Sequence, residues 1–325
     1  MISQKIMRDE LLRTLFENMK SDQDIFFLSA DFGSPVLDRI RSEFPDRFIN
    51  VGIAEQNLIN VSTGIALEGG KVFAYAIAPF ITMRCYEQIR VNLAILSQLR
   101  DLNVNLIGVG AGFSYIVSGP THQCFEDISI MRTLPNIQVL SPADSFSASE
   151  MVQHCLSHPF PKYLRLDAQT LPDIYNRSSD FNLKRGFTLL AVGQSVCLLS
   201  TGYMTQVALK VHNRLKQQGY LISVVDLYDL TFFDNEILTE IVRQHKVLIT
   251  LEEAFEGKGG LDALAYQLVS KKRLPVRVIA NGLNSSYKFD LLDRSSLHEA
   301  AGIGEKSLEN KILTLFKHKS EMRLP

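Results

Sequence analysis

The stretch Ile49-Asn-Val-Gly-Ile-Ala-Glu55-Gln-Asn-Leu58 places a carboxylate at a turn between a short strand and an unbroken apolar helix. Arg47-Phe-Ile-Asn-Val-Gly reads as the buried strand, while Ala54, Leu58, Val61 and Ile65 recur at helical spacing. Gly69-Gly70 stops that helix, and Lys71 to Ile77 starts the next strand. A first-turn carboxylate has an ordinary use, since negative charge is favoured at the positive end of a helix. Glu55 becomes a candidate for chemistry because of two further constellations, Ala78-Pro-Phe80-Ile-Thr-Met-Arg84-Cys-Tyr86-Glu-Gln88-Ile-Arg90 and Gly119-Pro-Thr-His122-Gln123.

Working outward, strands and helices alternate. Residues 24–30, 104–109, 137–140 and 163–166 read as strands, with helices near 5–20, 86–99, 125–133 and 145–158. The polar run Leu171-Pro-Asp-Ile-Tyr-Asn-Arg-Ser-Ser-Asp180 breaks the pattern and marks a linker reaching about Arg185. Beyond it, strands are expected at 196–200, 222–226, 246–251 and 276–279, with a helix from Thr201-Gly202 to Gln218 closed by Gly219. The expectation is α/β: two domains, 1–180 and 186–325, each a parallel-type sheet covered by helices. A length of 325 residues suits two cores.

Composition narrows the function. Lys and Arg total 34 against 35 acidic residues, without a basic run or interleaved aromatics, so nucleic acid is not indicated. The N-terminus lacks the apolar core of a signal peptide and no run reaches membrane-spanning length, which predicts a cytoplasmic protein with no membrane partner. Four scattered cysteines form no Cys-x-x-Cys pair, giving neither a zinc site nor a disulfide framework. Gly108-Val-Gly110-Ala-Gly112-Phe113 follows a strand but lacks the third glycine of a dinucleotide loop, and Phe255-Glu-Gly-Lys258-Gly-Gly lacks the spacing of a P-loop.

In order and spacing, the segments carrying Glu55, Phe80 to Arg90 and Gly-Pro-Thr-His122-Gln resemble the second half of transketolase, a pyrimidine-binding domain followed by a C-terminal domain. Glu252-Glu253 and the Gly257-Lys-Gly-Gly260 turn extend that resemblance through the second domain. It implies thiamine diphosphate, with Glu55 hydrogen-bonded to N1′ of the aminopyrimidine, and Phe80, Met83, Tyr86 and Asp31 around the cofactor. Met83 departs from the aromatic of several members, though a thioether can still cover a ring face. His122 matches the histidine beside the reacting carbonyl, where an imidazole can donate to, or exchange a proton with, the substrate's oxygens. Gln123 is expected to position it.

The same resemblance assigns substrate contacts to Arg165, matched to a phosphate-binding arginine, to Ser118 and to Ser34. Val117-Ser118 stands where the family carries an acidic pair, and Gly110 where many members have a phosphate-binding histidine, which points to an unusual ketose donor or a modified-sugar acceptor. The Gly-Asp-Gly motif that, with a downstream Asn, holds Mg2+ in the family's N-terminal half is absent from the sequence. The resemblance therefore implies a two-chain transketolase. An N-terminal partner subunit supplies the diphosphate and Mg2+ end, in a heterotetramer that is a dimer of heterodimers. The expected reaction moves a two-carbon ketol unit from a ketose, or ketose phosphate, to an aldehyde. The competing readings are the β subunit of a 2-oxo acid dehydrogenase and a non-catalytic assembly partner.

Overall fold

A computed structural model describes residues 4–317. In chain order the strands are β1 (Gln4–Ile6), β2 (Ile25–Ser29), β3 (Phe48–Asn50), β4 (Lys71–Ile77), β5 (Val104–Val109), β6 (Gln138–Leu140), β7 (Lys162–Leu166), β8 (Thr170–Pro172), β9 (Phe187–Ala191), β10 (Ser195–Ser200), β11 (Ser223–Leu227), β12 (His245–Leu251) and β13 (Arg277–Ile279). The helices are α1 (Met7–Met19), α2 (Pro35–Glu43), α3 (Glu55–Leu67), α4 (Tyr86–Gln88), α5 (Asp127–Arg132), α6 (Ser145–Ser157), α7 (Tyr203–Gln217), α8 (Asn235–Arg243), α9 (Leu261–Lys271), α10 (Arg294–Ala300) and α11 (Glu305–Lys317).

The first sheet has six parallel strands in the order β3-β2-β4-β5-β7-β6. Both faces are covered, which is why β5 is buried at every residue. Along β4 the two-residue period divides the core: Val72, Ala74 and Ala76 face the layer of α3, whereas Phe73 and Tyr75 face that of α1, α2 and α6. Leu58 and Ile59 of α3 are fully buried on the first face, Leu11, Leu12 and Leu15 of α1 on the second. Each such side chain contributes about 1.5–3 kcal/mol through burial.

The second sheet runs β13-β12-β10-β11-β9, parallel except for the edge strand β9, which pairs antiparallel with β11. That strand and the small antiparallel β1–β8 pair add to the parallel pattern read from the sequence. The connector between the sheets is packed. Tyr175 and Phe181 are buried, and the Tyr175 hydroxyl donates to Asp226 at 2.7 Å. Polar residues there disguise two aromatic anchors.

A larger departure concerns residues 80–99. The chain winds as a π-helix over Phe80–Arg84, makes the short α4, continues as a π-helix over Ile89–Ile95 and ends in a 3₁₀ turn. Apolar spacing of Ile81, Cys85, Ile89 and Leu93 predicts helix, and all four are buried. Periodicity does not distinguish π from α winding, which differ by one residue in hydrogen-bond reach.

Charges buried at the seam join the two lobes. Arg294 of α10 grips Glu253 through Nε at 2.9 Å and Nη2 at 2.6 Å, and reaches Asp167 through Nη1 at 2.6 Å. His298 Nε2 lies 2.6 Å from the same Glu253. Burial alone raises a carboxyl, but Arg294 and His298 outweigh it and hold Glu253 well below the carboxylate range. Asp167, buried beside the Glu253 charge, is raised despite Arg294. Arg132 Nη1 adds bonds to the Gly259 and Gly260 carbonyls, both at 2.6 Å. Among the described residues no helix is long and apolar enough to cross a membrane.

Candidate active site

Strand order reverses around β2 and β4, so the crevice for a ligand lies beyond the carboxyl ends of these strands. Asp31 follows β2, Glu55 follows β3, Phe80 follows β4, and the His122 loop follows β5.

The Glu55 turn is built from neighbours on two strands. Gly52 has φ +73°, the left-handed region that glycine enters without steric cost. Asn50 pins the turn by accepting from the Gly52 N–H at 3.0 Å and the Asp31 N–H at 3.1 Å, while its Nδ2 donates to Asp31 Oδ1 at 3.0 Å. Asp31 itself holds φ +54° and is exposed. Its shown contact is thus this clasp between the ends of β2 and β3. The chain then enters α3 with no side-chain cap, and Glu55 occupies the first helical turn. Its carboxylate is 2% exposed, and the helix end favours its negative charge.

Both Glu55 oxygens lie 2.7 Å from Arg84 Nη1. The Arg84 side chain is 43% exposed, and its Cζ sits 4.3 Å from the centroid of the Phe80 ring. Sequence reasoning missed Arg84 as a site residue. No residue pattern signalled it, because Phe80–Arg84 winds as a π-helix, to which the face-sharing rules of the α-helix do not carry over. The neighbouring Cys85 thiol is pushed up to about 12, first by burial and then by the Glu55 charge. It is an unreactive core group.

Phe80 is half-buried, with the His122 ring 5.3 Å away at an edge-on 68°. His122 ends a turn made by Gly119 at φ +67° and Pro120, with Thr121 Oγ1 2.9 Å from its Nδ1. Nε2 has no partner among the described residues. Gln123 is buried, and neither amide atom has a partner there. The loop is tied back by the Gly112–Cys124 bridge. Gly112, at φ +57°, packs so closely on Glu253 that a Cβ would overlap the carboxylate. The interdomain clasp therefore supports the His122 loop directly. Gly110 is equally constrained: a Cβ there would collide with the Tyr115 ring, which lies 6.4 Å from the His122 ring. These glycines serve close packing.

Other expected site residues are placed differently. Met83 is 41% exposed beside Arg84. Tyr86 turns inward, its hydroxyl bonded to the Ile130 carbonyl at 2.8 Å and Thr133 at 2.7 Å. Ser118 is exposed on the His122 loop. Ser34 caps α2 by accepting from the Leu37 N–H at 3.4 Å, so its hydroxyl is committed to the helix start. For Arg165 the phosphate role requires correction. It lies within β7, is 3% exposed, and spends its guanidinium on Asp127 at 2.8 Å and the Glu253 carbonyl at 3.1 Å. A buried cation already paired at the seam offers nothing to a substrate phosphate.

A flat group carrying hydrogen-bond donors can meet the Glu55 carboxylate while lying on the Phe80 face, as the Arg84 guanidinium does. N1′ of an aminopyrimidine is itself an acceptor, so it meets that carboxyl group with one proton held between the two. Among the described residues no group of three or more His, Cys, Asp or Glu is placed to hold a metal ion.

Two α/β sheets joined at a charged seam, with a buried carboxylate, an aromatic face and an imidazole at one strand edge, define the arrangement of a transketolase-type chain. The chain belongs to the transketolase family. Residues 4–173 match its pyrimidine-binding domain and residues 188–303 its C-terminal domain. It is 31% identical over 274 residues to a subunit of the apulose-4-phosphate transketolase of Phocaeicola vulgatus, covering 84% of this chain and 86% of that one. It is 30% identical to the 6-deoxy-6-sulfo-D-fructose transketolase subunit SqwH of a Clostridium species, covering 82% and 81%. A structure described as "Split gene transketolase, inactive beta4 tetramer" superposes with a TM-score of 0.82 at 29% identity, over 96% of this chain and 98% of that one.

Proposed function

We propose that this chain is the C-terminal subunit of a two-chain, thiamine-diphosphate-dependent transketolase that moves a two-carbon ketol unit from a ketose donor to an aldehyde acceptor. The observation carrying this reading is Glu55: a carboxylate 2% exposed, at a helix start, joined through Arg84 to the face of Phe80, with the His122 ring edge-on to Phe80. When bound, the cofactor supplies a nucleophilic carbon that takes up the transferred unit. Glu55 holds the aminopyrimidine by a hydrogen bond and biases its proton distribution, Phe80 covers one ring face, and Met83 closes the exposed rim. Asp31 holds the Glu55 turn through Asn50. His122, engaged at Nδ1 by Thr121, presents Nε2 to the substrate's oxygens and exchanges a proton there.

The diphosphate and Mg2+ are assigned to an N-terminal partner, because the sequence lacks the family's Gly-Asp-Gly motif. A heterotetramer of two copies of each chain follows from the symmetry expected of such an assembly. The naming of relatives as subunits, and the inactive tetramer of one split-gene chain, support a requirement for that partner. Ser118 stands exposed on the His122 loop where the family carries an acidic residue, so the pocket suits a modified sugar. Relatives named for apulose 4-phosphate and sulfofructose support that substrate class. The test is reconstitution with the partner chain, thiamine diphosphate and Mg2+, screening ketose donors by mass spectrometry. Aldehydes lengthened by two carbons are expected; decarboxylation of a 2-oxo acid without such products would refute the reading.

A further inference from the structure

We infer that Arg84 is an internal place-holder for the cofactor's aminopyrimidine, closing the Glu55 site until that ring displaces it. The inference rests on the reading of Glu55 and Phe80 given above and assigns a regulatory device to the same site.

The guanidinium makes both contacts expected of the heterocycle. It is planar, its Nη1 donates to the Glu55 carboxylate with both oxygens at 2.7 Å, and its Cζ stacks 4.3 Å from the Phe80 centroid. A second planar group cannot hold that carboxylate edge and that ring face at the same time. Arg84 must leave for the cofactor to enter.

The contact is built to be released. Glu55 is engaged through one nitrogen rather than the two-nitrogen fork that makes arginine–carboxylate pairs strongest. The arginine side is 43% exposed while the carboxylate side is 2% exposed, so a departing guanidinium is already half hydrated. Arg84 ends the π-helical turn Phe80–Arg84, and its carbonyl is held by Gln56 Nε2 at 3.3 Å, which keeps the backbone in place while the side chain moves. Meanwhile the arginine spares the cofactor-free chain a buried, unpaired carboxylate, a costly species.

Competition of this kind lowers apparent cofactor affinity by the fraction of time the arginine is away. If the open state is populated about one-tenth of the time, removing Arg84 tightens binding about tenfold. Two measurements test the proposal. In the isolated full chain, unfolding of wild type, Arg84→Met, Glu55→Gln and the double variant should show a coupling of about tenfold or more in the unfolding equilibrium constant. Coupling below about twofold would overturn it. In the partner-assembled complex, calorimetric titration with thiamine diphosphate and Mg2+ should show Arg84→Met binding several-fold tighter than wild type, with Arg84→Gln in the same direction if the first variant folds poorly. Unchanged or weaker binding by the variants overturns the place-holder while leaving the site reading intact. No cofactor binding by the wild-type complex overturns the site reading and the place-holder with it.

Discussion

Replacing Arg294 by methionine should unfasten the two lobes. The change removes a guanidinium bonded to Glu253 and Asp167 at 2.6–2.9 Å, with all three side chains at least nine-tenths buried. Methionine is close in length, so the principal loss is one charged partner rather than volume. Breaking a buried, hydrogen-bonded pair from one side costs about 3–5 kcal/mol, because the remaining carboxylates keep their desolvation penalty. For a lobe of this size that is roughly 10–15 °C in the unfolding midpoint. Circular dichroism melting of the full chain measures it. The companion variant Arg294→Met with Glu253→Gln separates lost attraction from stranded charge and should recover part of the loss. A single variant melting within about 2 °C of wild type would refute the reasoning, as would a double variant no more stable than the single one.

Two further outcomes follow from the geometry. Asp226 is raised to about 7, chiefly by burial and despite hydrogen bonds from Tyr175 and Thr205. Its folded value exceeds the unfolded value near 3.9, so its contribution is full below about pH 4 and disappears as pH rises through about 7. Asp226→Asn cannot ionise and should flatten the decline in urea midpoint between about pH 4 and 7; equal slopes would contradict the assignment. His122→Asn should lower turnover of the reconstituted enzyme by about 10²–10⁴. The unfolding midpoint of the chain should barely move, since the half-buried ring's one shown hydrogen bond is to the adjacent Thr121.

The sequence made local features legible and long-range pairings obscure. The Glu55 turn was readable because a strand, a glycine turn and a helical apolar stripe are all encoded within about twenty residues, although β3 is a half-buried edge strand rather than the buried strand expected. The Gly-Pro-Thr-His122 turn was readable for the same reason. Arg165 was misread because its motif position says nothing of strand facing, and its partner Asp127 lies 38 residues away. Arg84 went unassigned because the winding of residues 80–95 depends on π-type hydrogen bonds that no residue pattern announces. Glu253, Arg294 and His298 could not be joined from sequence, since 41 and 45 residues separate the pairs that meet. The connector read as a polar linker concealed Tyr175 and Phe181, whose burial depends on the second sheet.

Comparing Glu55→Gln with wild type in the partner-assembled enzyme asks whether the buried Glu55 carboxylate governs the proposed cofactor. Glutamine keeps the shape and a hydrogen-bonding oxygen but cannot hold or release the carboxyl proton. Turnover should fall by about 10²–10⁴ while both chains still assemble. An assembled Glu55→Gln complex turning over at the wild-type rate would contradict the account.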